Sequence, residues 1–255
     1  MSPTRPLNGA LAVAALAGAL AMPAAHADLT LVQTTTISNA QITAALQSMT
    51  PQQRAQVQKS GSPFFQTGPQ TATIYTHGKQ SRLDYGGYTF IADPSKGQVL
   101  TLNRRTHTYS TRPLPAGQSG GFAGATVRDL HQSKTILGHV AHHYTVSTAN
   151  VGGAGSQLKA DVWAAPDLAQ PSGSLTGGGP TGPLQSLLRQ VKGLPLQTTV
   201  VIAGSPVGTV TAKSLAKSLS TQPVSAALFA LPAGYKPGPT GGGSGSSPFG
   251  GGLGQ

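Results

Sequence analysis

The sequence predicts an α+β protein that is mainly β, with one antiparallel sheet curled around two or more short helices. Three observations carry this. Apolar–polar alternation recurs in short runs between residues 71 and 220, each run ended by Gly, Pro, Asn or Asp. Helical patterns are confined to two brief stretches. No internal repeat and no second change of composition divides the folded part, so a single domain is expected.

The elements follow in order. Residues 1–27 hold Arg5, an apolar run from Leu7 to Met22, Pro23 and then Ala25-His26-Ala27. That order predicts a secretory signal cleaved before Asp28, and the Ala- and Gly-rich run is too short for a spanning helix. Residues 29–38 alternate apolar residues with Thr and Gln as an opening strand does. Thr50 before Pro51 predicts a helix start, and residues 52–59 hold good helix formers up to the Gly61-Ser62-Pro63 stop.

From Thr71 the pattern is β. Residues 71–76 and 80–85 flank His77-Gly78-Lys79 as a hairpin. Residues 88–92 and 98–103 flank a turn from Asp93 to Gly97, where Pro94 presets the bend and Gly97 supplies positive φ. A further strand is expected over 106–111, then a loop over 113–124. Residues 134–148 and 157–164 read as two more strands. Residues 170–183 are Gly-, Pro- and Ser-rich and read as a mobile loop. Leu184, Leu187, Leu188 and Val191 repeat at helical spacing up to Gly193. Residues 194–203 and 207–220 predict a last hairpin across Gly204-Ser205-Pro206. The domain is expected to span 28–236, and residues 237–255 to form a disordered Gly/Ser tail.

Composition narrows the function classes. The chain has 17 Lys and Arg against six Asp, no Glu and no Cys, for a formal net charge of +11. Without cysteine neither a disulfide nor a lipid anchor can form, so after signal removal a soluble protein with no transmembrane segment is expected. The cations are spread singly, with Arg104-Arg105 the one adjacent pair, and no aromatic-basic ribonucleoprotein motif accompanies them. Nucleic acid is therefore not expected as a partner; an anionic envelope surface is.

Several chemistries find no footing. His139, His142 and His143 raise a metal site, but on a strand His139 and His143 share a face about 13 Å apart while His142 points the other way. No metal site is predicted. Gly117-Gln118-Ser119-Gly120-Gly121 matches a nucleophile elbow by composition, yet Pro113 and Pro115 stand where the preceding apolar strand is required. Six scattered Asp residues do not assemble a carboxylate pair, since Asp93 serves a turn and Asp84 pairs with a cation such as Arg82. The expected protein is not an enzyme, has no catalytic residue and takes no cofactor.

A recurring order of short motifs adds a resemblance. It comprises Gln80-Ser-Arg-Leu-Asp84, Tyr88-Thr-Phe-Ile-Ala-Asp93, the run from Val99 to Tyr109, Lys134 to Gly138, Ala160 to Ala164, Lys192 to Leu196, and Leu228-Phe229 with Pro232-Ala-Gly-Tyr-Lys236. This resembles an exported bacterial domain family of unknown function that is similar to the LolA and LolB lipoprotein carriers and receptors. The resemblance implies an incomplete antiparallel β-barrel whose open side is covered by helices, a hydrophobic cavity between them, and a periplasmic or secreted location. The chain lacks the anchoring cysteine of a LolB-type receptor, and its Gly-rich segments are longer than such a carrier needs. A lipid or acylated ligand is the expected partner, with Ile74, Leu83, Phe90, Leu100, Tyr144 and Trp163 as cavity-lining candidates. The alternative is a structural or interaction protein of the envelope with a solid core.

Overall fold

The computed structural model describes residues 28–59, 68–114, 125–149, 155–171, 188, 190–205 and 208–238. The predicted signal segment, the glycine-flanked Ser119, most of the 170–183 segment and of the helix predicted after it, and the chain beyond Gly238 lie outside them. The described residues form one open, curled sheet of 12 strands. In chain order the strands are β1 (Leu29–Asn39), β2 (Gln70–His77), β3 (Gln80–Tyr85), β4 (Tyr88–Asp93), β5 (Gln98–Asn103) and β6 (Thr108–Pro113). They continue with β7 (Thr126–Ile136), β8 (His139–Ala149), β9 (Gln157–Ala165), β10 (Leu194–Ser205), β11 (Gly208–Ser220) and β12 (Lys236–Pro237). Across the sheet the order is β12-β6-β5-β4-β3-β2-β1-β11-β10-β9-β8-β7. Every pairing is antiparallel except that of β12 with β6. Two runs of hairpins are thus joined through β1, which pairs β2 on one side and β11 on the other.

Two helices follow β1: α1 (Ala40–Ser48) and α2 (Pro51–Lys59). The predicted start of α2 is a capping box. Thr50 Oγ1 accepts from the Gln53 N–H at 3.3 Å, and Gln53 Oε1 accepts from the Thr50 N–H at 3.0 Å. The sequence reading missed α1, which begins without a break where β1 ends. Asn39 turns the chain: its Oδ1 accepts from the Ile42 N–H at 2.8 Å, and α1 then buries Leu46.

The predicted 134–148 strand is corrected to two. Leu137 (φ +51°) and Gly138 (φ +83°) form a two-residue turn between β7 and β8, and β7 reaches back to Thr126. Its alternation is hidden by a bulge. The register slips between Asp129 and Ser133, with His131 at φ +55° and its N–H held by Asp129 Oδ1 at 2.7 Å.

Register divides the sheet into two faces. One, here called inner, carries three apolar clusters. Tyr144, Val146, Leu158, Ala160, Val162 and Val200 form the first with Val191, and Leu29, Leu31, Leu168, Leu194, Leu196 and Ala216 the second. Ala72, Leu83, Ala92 and Val99 form the third. The outer face is polar over β7–β11. Over β2–β6 it is instead apolar and covered by the C-terminal strap, residues 224–238, whose 3-10 turn (Ala226–Phe229) seats Val224 and Phe229 on Ile91 and Leu102. At its end the strap is tied to β6, where the Gly238 N–H bonds Tyr109 O at 2.7 Å.

Candidate ligand-binding face

The candidate site is the inner face of β2–β5. Cross-strand pairing sets Ile74 opposite Leu83 and Leu83 opposite Phe90. Ala72, Tyr85 and Tyr88 form the neighbouring row, and Ser81, Ala92, Val99 and Arg112 the row on the other side. Leu83, Ala92 and Val99 are buried. Ile74, Tyr85 and Phe90 are half-buried, and Tyr88, stacked on Phe90 at 6.2 Å, is 41% exposed. Burial pushes the Tyr85 phenol above its ordinary value and draws the Arg112 guanidinium below its own. An apolar strip with an aromatic end and a cation along one side suits an amphipathic, acidic ligand.

The six candidates do not share one surface. Ile74, Leu83 and Phe90 form the row just described. Tyr144 lies on the same face but in the filled half, among Val146, Val162 and Val200, where burial and the charge of Asp129 raise its pKa. Leu100 pairs Ile91 on the outer face beneath the strap. Trp163 is also on the outer face, beside Lys159 and Asp161 as alternation predicts, with Leu158, Ala160 and Val162 facing inward.

Trp163 has its own surroundings. The His143 ring stacks on it at 4.3 Å and an interplanar angle of 7°, and Lys134 Nζ lies 4.0 Å from its ring centroid. His139 and His143 do share the outer face of β8. Each has separate company: His139 Nδ1 is 2.6 Å from Asp167 Oδ2, and His143 Nδ1 is 2.9 Å from Gln132 Oε1. Among the described residues no group of three His, Cys, Asp or Glu could hold a metal ion.

Polar clamps fix the frame around the strip. Arg82 makes a bidentate pair with Asp84 (3.0 and 2.9 Å) and donates through Nη1 to the strap carbonyl of Leu228 at 2.7 Å. Asp93 Oδ1 accepts from the Ser95 N–H and hydroxyl while Oδ2 accepts from Gln80, closing the β4–β5 turn. Residues that sequence reasoning did not single out join the two ends of the domain. Asp28 Oδ2 accepts from the Val224 N–H at 2.6 Å, and Oδ1 lies 3.0 Å from His77 Nδ1, whose ring stacks on Phe229.

The Val224 N–H, against opposition from burial and with help from His77, holds the Asp28 carboxyl below its ordinary value of 3.8. Because the folded pKa is the lower one, this stabilisation is complete above the unfolded value and is lost as pH falls through the folded value. Thermal melts taken from pH 7 to pH 3 should show the midpoint falling below about pH 4, the unfolded carboxylate range. Asp28→Asn should lower the midpoint at pH 7 and flatten that acid limb. An unchanged limb would remove Asp28 from the account.

The fold and this face define an open antiparallel sheet with one partly uncovered apolar strip. No protein-family model matches the chain, and no curated protein matches it. Among solved structures it is similar to PNGF-II in a C2 crystal form (13% identity, TM-score 0.36, covering 80% of this chain and 29% of that one). The P21 form gives 12% identity and a TM-score of 0.32, over 76% and 28% of the two chains. The chain therefore spans less than a third of PNGF-II. It is also similar to a LolA superfamily protein, NE2245 from Nitrosomonas europaea, at 8% identity and a TM-score of 0.31, over 80% of this chain and 90% of that one. Overlap at these TM-scores is partial.

Proposed function

We propose that this is an exported, non-enzymatic binding protein that holds an acyl chain or similar apolar ligand against the inner face of β2–β5. The observation that supports it is the contrast between the two halves of that face. From Tyr144 onward the β8–β10 half is filled in, with Val162 and Ala164 at 0% exposure and Val140 at the start of β8 open, whereas Ile74, Tyr85 and Phe90 remain half-buried and Tyr88 exposed. Burying that remainder supplies roughly 25 cal/mol per Å² before association costs. Arg112, which pairs Val99 at the edge of the strip, supports an acidic headgroup on the ligand. The high net charge favours anionic envelope lipids in the same sense. Among the described residues no helix is long and apolar enough to cross a membrane.

Titration with cis-parinaric acid tests this. The probe should bind, and Phe90→Gln should weaken it about tenfold, in line with the loss of roughly one aromatic contact patch. Leu215→Ser, on the outer face, should leave binding unchanged. Equal affinity in all three proteins would contradict the site.

The second reading is a structural envelope protein whose sheet is solid. The complete burial of Leu31, Val146 and Val162 favours it over the β1 and β8–β10 half.

A further inference from the structure

The outer face of β1, β11 and β10 carries a second feature, an open groove of about 380 Å³. It owes nothing to the apolar strip on the other side. Register builds it from two rows. Thr34, Leu215, Gln197 and Trp163 stand side by side on β1, β11, β10 and β9, and Thr36, Lys213, Thr199 and Asp161 form the next row. Lys217 is the extra residue of the β11 bulge opposite Val32 and Gln33, which brings it to the same groove as Lys213. Lys134 crosses from β7 over the Trp163 ring to bond the groove residue Gln197 at Oε1 (2.8 Å), which sets a third ammonium beside the lining rather than in it.

The charges there are unbalanced. Among the described residues neither Lys213 nor Lys217 has a carboxylate within ion-pair distance. The nearest acid by register, Asp161, faces His143 Nε2 at 3.4 Å instead. Between the cations the lining is hydroxyl and amide: Thr34, Thr36, Thr199 and Gln197. No aromatic ring lines the groove among the described residues, and Trp163, next to Gln197 by register, is already covered by His143 and Lys134, so an unpaired nucleobase finds poor stacking. Leu215 and Pro69 are the apolar residues of the lining, and they form no continuous strip of the kind an acyl chain needs.

We propose that this groove binds an acidic polysaccharide, with Lys213, Lys217 and Lys134 on its anionic groups and Thr34, Thr36, Thr199 and Gln197 on its hydroxyls. A strand-spaced row of donors 4.7–4.9 Å from its neighbour suits an extended chain laid across β10, β11 and β1. Burial lowers the Lys134 pKa, and an arriving carboxylate offsets that cost.

The test uses protein isolated after expression of the full sequence, titrated with alginate oligomers by calorimetry. Neutral dextran, single-stranded DNA and anionic phosphatidylglycerol vesicles serve as comparisons. Alginate should bind, dextran should not, and affinity should fall on the order of tenfold between 50 and 200 mM salt, as two or three neutralised anionic groups require. The double variant Lys213→Glu/Lys217→Glu should lose at least about tenfold in affinity with an unchanged melting midpoint. Lys79→Glu/Arg105→Glu, an equal charge change on the other half of the molecule, should keep it. An equal loss in both double variants would overturn the groove in favour of net charge. Tighter binding of DNA or vesicles through the same two lysines would overturn the assignment to polysaccharide.

Discussion

Gly193→Ala is expected to destabilise the protein by about 3–5 kcal/mol, the range of a backbone clash that cannot relax. Gly193 sits at φ +93°, and a Cβ there would lie 2.1 Å from Ala165 O and 2.5 Å from Pro166 Cα. Both contacts are backbone, so no rotamer change relieves them. The position joins the end of β9 to the start of β10, where Leu194 pairs Ala165. Displacing it would unseat Leu194, Leu196 and Leu168 from the cluster that also holds Leu29 and Leu31. The Gln170 amide pins the same corner, lying 2.7 Å from both Val191 O and Gly193 O. Urea unfolding of the variant would measure the loss. A midpoint equal to that of the parent would mean that this corner is not built as described.

The second large effect is expected at Arg82. Arg82→Met keeps the aliphatic stem but leaves Asp84 with only the Thr89 hydroxyl (2.6 Å) and removes the donor to Leu228 O. Both charged side chains are 15% exposed, so stranding one should cost about 2–4 kcal/mol, slightly under the fully buried case. The loss should be read in the strap. Amide hydrogens of Leu228, Ala230 and Lys236, whose bonds hold the strap's own turn or tie it to His107, should exchange faster than those of β8 and β9. Arg82→Met/Asp84→Leu should recover part of the stability, because no unpaired charge remains. Uniform exchange across the sheet would argue that the strap is held by Val224 and Phe229 packing alone.

The parts of the fold that the sequence revealed are those with one covered face. β9 alternates cleanly because one side meets the core and the other does not, reading buried at Leu158, Ala160, Val162 and Ala164, and β1 does so over its first residues at Leu29 and Leu31. α2 was legible because Thr50 before Pro51 marks a helix start ahead of good helix formers. β7 was not, since the bulge at residues 130–132 interrupts its pairing and its inward positions Asp129, Ser133 and Thr135 are polar. α1 was not, because Asn39 caps it directly from a strand and it buries only Leu46.

The site shows the same logic. Ile74, Leu83 and Phe90 proved to be one row, as evenly spaced apolar residues on successive hairpin strands should be. Leu100 could not be assigned a face from its neighbours, because β4 and β5 are apolar on both sides: Phe90 and Val99 face inward, Ile91, Leu100 and Leu102 outward. A strap more than 100 residues downstream explains that doubling, and local pattern cannot report it. Trp163 was placed on the polar face by alternation, and its partner Lys134 arrives from β7, two strands away.

The most direct test of ligand binding is native mass spectrometry of the protein purified from an exporting host, followed by organic extraction. A stoichiometric mass increment that extracts as lipid, and that is reduced in Phe90→Gln, is the predicted result. A clean apo mass from a protein that also ignores cis-parinaric acid would contradict it and leave the solid-sheet envelope protein as the better description.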